Sequence, residues 1–98
     1  MLSKQICAST PLLITQDFEQ PFLTVLWLES GSWEFRPVAQ IHLKNGFLVY
    51  EGVEQATDKG TVDKVDLRDS MPDEVLRDLE RLVTINTPQI LEALNFVD

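Results

Sequence analysis

The stretch Ile41-His42-Leu43-Lys44-Asn45-Gly46-Phe47-Leu48-Val49-Tyr50 decides the fold. Asn-Gly supplies the two positive-φ positions of a type I′ turn, and between two alternating runs it is the strongest local hairpin signal. A two-residue loop sets Lys44 opposite Phe47, Leu43 opposite Leu48, His42 opposite Val49 and Ile41 opposite Tyr50. Side chains alternate along a strand, so Ile41, Leu43, Leu48 and Tyr50 share one face, the start of a core.

Working back from the turn, Trp33, Phe35, Ile41 and Leu43 stand on odd positions, with Glu34, Arg36, Gln40, His42 and Lys44 between them. This predicts one long strand from Trp33, in which Pro37 removes a ladder donor and implies a bend, a bulge or an edge. Phe22 to Leu28 is apolar on both parities apart from Thr24, which predicts a central or doubly covered strand. Ser30-Gly31-Ser32 is the turn between the two. A three-residue loop sets Trp27 opposite Phe35, and a two-residue loop buries the other parity. Residues 1–21 are read either as a loose arm or as a short strand at Leu12-Leu13-Ile14.

Beyond Tyr50, Gly52 to Gly60 reads as the main loop, with Thr57-Asp58-Lys59-Gly60 as its turn, and Thr61 to Leu67 offers a fourth strand. Ser70 is placed to cap a helix with Pro72 in its first turn, and Val75, Leu76, Leu79, Leu82 and Val83 form its apolar stripe. Pro88 ends that helix. Thr87 caps a second one that buries Ile90, Leu91 and Leu94. The expected architecture is α+β: one domain over 1–98, with an antiparallel meander of three to four strands at 22–67 and a helical pair at 70–95 packed on one face.

Composition narrows the function. Hydrophobic residues reach 44% and charged residues 24%, values of a globular chain and not of a disordered one. No apolar run approaches the roughly 20 residues of a membrane helix, and the N-terminus makes a poor secretory signal, so a cytoplasmic protein is expected. The net charge of −8 is uneven: residues 1–50 hold four acidic and three basic groups, residues 51–98 twelve and five. Such a field repels phosphates and anionic membrane and favours a basic protein partner.

Catalytic chemistry has few components available. The chain has one histidine, one cysteine and one tyrosine, and no glycine-rich phosphate loop. His42 reads as a solvated surface histidine, and Cys7 as a small apolar side chain. Asp58, Asp63, Asp66 and Asp69 are spaced five, three and three apart, unlike a calcium loop. If they stand on a strand, Asp66 has the opposite parity to Asp63 and Asp69, and the group does not converge. No metal or cofactor is therefore expected. Core packing is the ordinary reading of Trp27 and Trp33, but Trp33 begins its strand and is the one nearer the surface, where tryptophan anchors interfaces.

Phe35-Arg36-Pro37-Val38-Ala39, Ile41-x-Leu43-x-x-Gly46 and Leu48-Val49-Tyr50-Glu51 resemble the hairpin that opens the N-terminal subdomain of HipA-type kinase toxins. Met71-Pro72-Asp73 with Arg77 and Arg81, then Ile90-Leu91-x-Ala93-Leu94 and Asp98, resemble the helix pair that closes it. The resemblance implies a free-standing version of that subdomain, which binds and restrains a separate kinase, and it reaches no catalytic motif. The expected function is a non-enzymatic inhibitor, antitoxin or immunity-type protein contacting its partner through Trp33, Glu54, Asp58, Asp63, Asp66 and Asp69. Two other classes fit the residues. One is a DNA-mimic anti-nuclease; the other is a structural or assembly subunit, as of a phage, that forms a homo-oligomer through the Phe22 to Leu28 strand.

Overall fold

A computed structural model describes residues 3–95. Asp98, part of the resemblance above, lies outside the described residues. The fold is α+β. Its main sheet has five antiparallel strands in sequential order: β1 (Ser3–Ser9), β2 (Leu12–Asp17), β3 (Leu23–Trp27), β4 (Arg36–Lys44) and β5 (Phe47–Glu51). The count exceeds the expected three to four because the strand at Leu12-Leu13-Ile14, the alternative to an arm, extends to Asp17 and pairs with Ser3–Ser9 in a β1–β2 hairpin around Thr10-Pro11.

The β4–β5 hairpin has the expected register, with Ile41 opposite Tyr50 and Leu43 opposite Leu48. Its turn residues Asn45 and Gly46 have φ of 53° and 81°, the left-handed geometry that a type I′ turn demands. Upstream, the structure departs from the alternation. β4 begins at Arg36 and not at Trp33, and a loop spans 28–35, so Trp27 faces Arg36 rather than Phe35. Val25 pairs with Ala39 and Leu26 with Pro37, which leaves Val38 as an extra residue. This is the bulge that Pro37 implied, and it lets the adjacent Val38 and Ala39 both enter the core.

β3 is the central strand, as its two apolar parities predict. Leu23, Val25 and Trp27 are buried together with Leu12 and Ile14 of β2 and Ile41 of β4. After the sheet, β6 (Glu54–Ala56) forms within the stretch read as a loop and β7 (Val62–Lys64) within the expected fourth strand, and the two make a small separate sheet around Gly60, whose φ is 79°. The helical layer then begins earlier than expected, with α1 (Leu67–Ser70), α2 (Asp73–Ile85) and α3 (Thr87–Asn95).

Two of the expected caps are displaced. Ser70 does not cap α2, whose N-cap is Pro72 with no side-chain cap bond; it ends α1 with its hydroxyl donating to the Asp66 carbonyl, and α1 itself is capped by Asp66, which accepts the Arg68 N–H at 2.9 Å. The Thr87 hydroxyl points backwards to the Val83 carbonyl at 2.8 Å, and the Asn86 carbonyl accepts the Ile90 N–H that opens α3. Only one residue, Asn86, separates α2 from α3.

Leu79, Leu82 and Val83 of α2 and Ile90, Ala93 and Leu94 of α3 close the core against one face of the main sheet. A buried polar link fixes the docking. Gln16 of β2 is 3% exposed, and its amide donates to the Ala93 carbonyl of α3 at 2.9 Å, meeting the need for a partner that burial imposes.

Candidate functional site

The chain leaves the main sheet at Glu51, and a close approach at Gly52 and a turn at Gly60 place the segment that carries Asp58, Asp63, Asp66 and Asp69. Gly52 is buried against the Val65 carbonyl, and the Val65 N–H donates to the Val53 carbonyl at 2.9 Å. The β6–β7 hairpin is therefore clasped at its base. Its tip closes through the Thr57 N–H to the Thr61 carbonyl at 2.8 Å and a 2.7 Å contact between the two threonine hydroxyls.

This arrangement gathers Asp58 from the tip, Asp63 from β7, Asp66 at the α1 cap and Asp69 within α1 around one open concavity, with Gln55, Thr57 and Val65. Strand parity had argued against convergence. The parity argument fails because β7 ends at Lys64, so that Asp66 and Asp69 are positioned by a turn into α1 and not by a continuing strand. None of the four aspartates forms an ion pair among the described residues. Lys64 is the cation lining the concavity, and its ammonium binds Glu51 instead. Among the described residues, no three His, Cys, Asp or Glu side chains converge to hold a metal ion. The concavity is thus a patch of uncompensated carboxylates suited to charge complementarity.

Glu54 and Trp33 stand apart from it. Glu54 is exposed on β6, paired in register with Lys64 while Gln55 pairs with Asp63. Trp33 is 97% exposed in the 28–35 loop, neither packed in the core nor at the start of a strand. Its loop is shaped by the Ser32 N–H to the Glu29 carbonyl at 2.9 Å, with Gly31 at φ 85°, and by a Ser32 hydroxyl bound to the Glu34 backbone. Arg36 connects the two regions. Its guanidinium lies 5.1 Å over the Trp27 ring, 3.7 Å from the Glu29 carboxylate, and donates to the Ser70 carbonyl at the end of α1 at 3.2 Å.

A second polar cluster, which sequence reasoning did not single out, surrounds Glu51. Lys44 and Lys64 both bind its carboxylate, and His42 Nε2 lies 3.2 Å from it and 3.1 Å from the Gln40 side-chain oxygen. The register from Asn45-Gly46 already sets Gln40 opposite Glu51, which was the available signal; Lys64 comes from a tertiary contact. His42 is not the solvated residue that its parity suggested. Its ring lies 5.1 Å from that of Phe22, and burial pushes its pKa down against the upward pull of Glu51. Tyr50, on the opposite face, is raised by burial and by Glu80 of α2. Cys7 packs at the edge of the core and its thiol is raised by burial; two strands lie between it and β4, and it stands on the face opposite His42, so the two form no thiol–imidazole pair.

The hydrogen bonds from Lys44 and Lys64 hold Glu51 down to about 2 from an ordinary 4.5. Since the folded pKa is depressed, the unfolded chain binds more protons between these values, and stability from Glu51 is complete above pH 4.5 and lost as pH falls through about 2. In urea titrations, the native chain is expected to show a higher midpoint than Glu51→Gln above pH 4.5, and the two midpoints to converge near pH 2. Parallel pH profiles would contradict the assignment.

No helix of the described residues is long and apolar enough to cross a membrane. No protein-family model matches the chain, and neither a curated protein nor a solved structure matches it.

Proposed function

We propose that this chain is a small, acidic, non-enzymatic binding module that docks on a basic surface of a partner protein and restrains it, in the manner of an inhibitor, antitoxin or immunity protein. The observation that carries the reading is the concavity formed by Asp58, Asp63, Asp66 and Asp69, whose lining lysine is already engaged by Glu51. Four carboxylates without counter-ions raise the local negative potential and steer a basic partner toward that surface, giving a fast and salt-sensitive encounter. Trp33 offers a separate apolar anchor, held on a short turned loop and nearly free of intramolecular contact. The resemblance to the small subdomain of HipA-type kinase toxins makes a kinase one candidate partner. A DNA mimic uses the same carboxylates against a nuclease.

The test is capture from a lysate of the native host, with the wild-type chain and the Asp58→Asn/Asp63→Asn/Asp66→Asn/Asp69→Asn variant compared at low and high salt. A basic protein is expected to be retained by the wild type at low salt, and to bind the variant at least about tenfold more weakly, equivalent to about 1.4 kcal/mol. Equal retention by both forms refutes the reading. Displacement of the captured protein by duplex DNA identifies it as a nucleic-acid-binding target.

A further inference from the structure

The face of the main sheet opposite the helices can be laid out row by row from the strand registers. Ala8, Leu13, Leu26 and Pro37 face one another in succession across β1, β2, β3 and β4, an apolar row. The next row is Gln5, Thr15, Thr24, Gln40 and Glu51, neutral except at its last position. The third row holds Ser3 and Asp17 of β1 and β2, then Phe22 against His42, which pairs with Val49. The helices all lie on the other side, and no described helix covers this surface.

Two features separate this face from the rest of the molecule. First, it carries little net charge in a chain of net −8: across the three rows the carboxylates are Asp17 of β2 and Glu51, the latter at the β5 edge and already matched by Lys44 and Lys64. Two copies repel each other wherever their acidic surfaces meet, so this is the surface on which self-association carries least Coulombic cost. Secondly, its size suffices. With strands about 4.8 Å apart and three rows about 7 Å apart, the face measures about 24 by 20 Å, so a pair buries about 1,000 Å², the lower bound for a specific interface.

We infer that this face packs against the same face of a second copy, giving a two-fold dimer of sheets in which apolar row meets apolar row. An isologous contact needs a patch complementary to itself, and a surface of little net charge with a leucine pair beside a threonine pair meets that condition. The acidic concavity is built from β6, β7 and α1, outside these rows, so the dimer presents two docking surfaces. This inference does not depend on the function proposed above. At the lower bound of interface size the association is expected to be micromolar.

Sedimentation equilibrium from about 5 to about 200 µM spans that range. The wild-type chain is expected to shift from its 11.2 kDa chain mass to twice that value as concentration rises. Leu26→Glu places a carboxylate at the centre of the pair, and is expected to weaken dimerisation at least about twentyfold while leaving far-UV circular dichroism unchanged. Thr24→Lys, at a half-buried polar position in the next row, provides a second variant in case the first fails to fold; it too is expected to sediment as the monomer. Mass at 11.2 kDa throughout for the wild type, or a dimer that survives in both folded variants, overturns the inference.

Discussion

Gly52→Ala is expected to destabilise the fold by about 3 kcal/mol, seen as a lower urea midpoint, because no low-energy position exists for the added methyl group. A Cβ on Gly52 would lie 1.5 Å from the Val65 carbonyl oxygen and 2.7 Å from its carbon, both backbone atoms. A flexible side chain could rotate aside, but a backbone carbonyl moves only with its segment. Displacing Val65 lengthens its hydrogen bond to Val53, loosens the base of the β6–β7 hairpin and shifts Asp66 at the start of α1. The same variant is therefore expected to weaken partner capture along with stability, and to increase hydrogen exchange at the Val65 amide. Gly31→Ala is the control. Nothing lies within 4 Å of its added Cβ, so only the left-handed backbone at φ 85° opposes it, at about 1 kcal/mol.

The close approach at Gly52 marks the boundary between what the amino-acid sequence shows and what it hides. Where pairing is local, side-chain chemistry is sufficient: Asn45-Gly46 determines the register of β4 and β5, and the helical stripe from Leu79 to Val83 identifies the buried face of α2. Trp33 and Phe35 continue the alternation of β4, yet no strand residue stands opposite them, because β3 ends at Trp27 and pairs its last residue with Arg36. A periodic pattern outlasts the ladder that gives it meaning. Ser70 is a competent cap by residue type, but the short α1 that Asp66 caps takes Ser70 into its last turn, where its hydroxyl bonds back to the Asp66 carbonyl, and α2 opens at Pro72 without a side-chain cap. β1 was obscure for a related reason: its exposed edge position relaxes the alternation, and the register shift between Gln5 and Cys7 breaks what remains.

The candidate site was legible in composition and not in geometry. The excess acid of the C-terminal half could be counted, and four of the six residues chosen as contacts do meet. Their convergence depends on a three-residue strand, a turn and a four-residue helix in succession, none of which carries a strong periodic signal. Glu54 falls outside the concavity because strand parity within so short a hairpin separates neighbours, placing Gln55 and not Glu54 beside Asp63.

Ile41→Ala is expected to lower stability by about 3 to 4 kcal/mol, within the range for removing a buried isoleucine, because this side chain joins both halves of the core. Ile41 is 0% exposed, pairs with Leu23 on one side and Tyr50 on the other, and shares the buried cluster with Leu79 and Ile90 from the two long helices. The truncated site has little freedom to close, since ladder bonds hold β4 on both edges and Gln16 ties β2 to α3 through the Ala93 carbonyl. For a domain of this size the loss corresponds to a fall in Tm of about 12 to 25 °C. Phe47→Ala, on the same hairpin but 73% exposed, is expected to change stability by less than about 0.5 kcal/mol even though it removes a larger side chain. If the two variants unfold at similar temperatures, the assignment of core and outer faces on β4 and β5 is inverted. The outer rows from which self-association is inferred would then be inverted with it, because a single register at Asn45-Gly46 orders both faces.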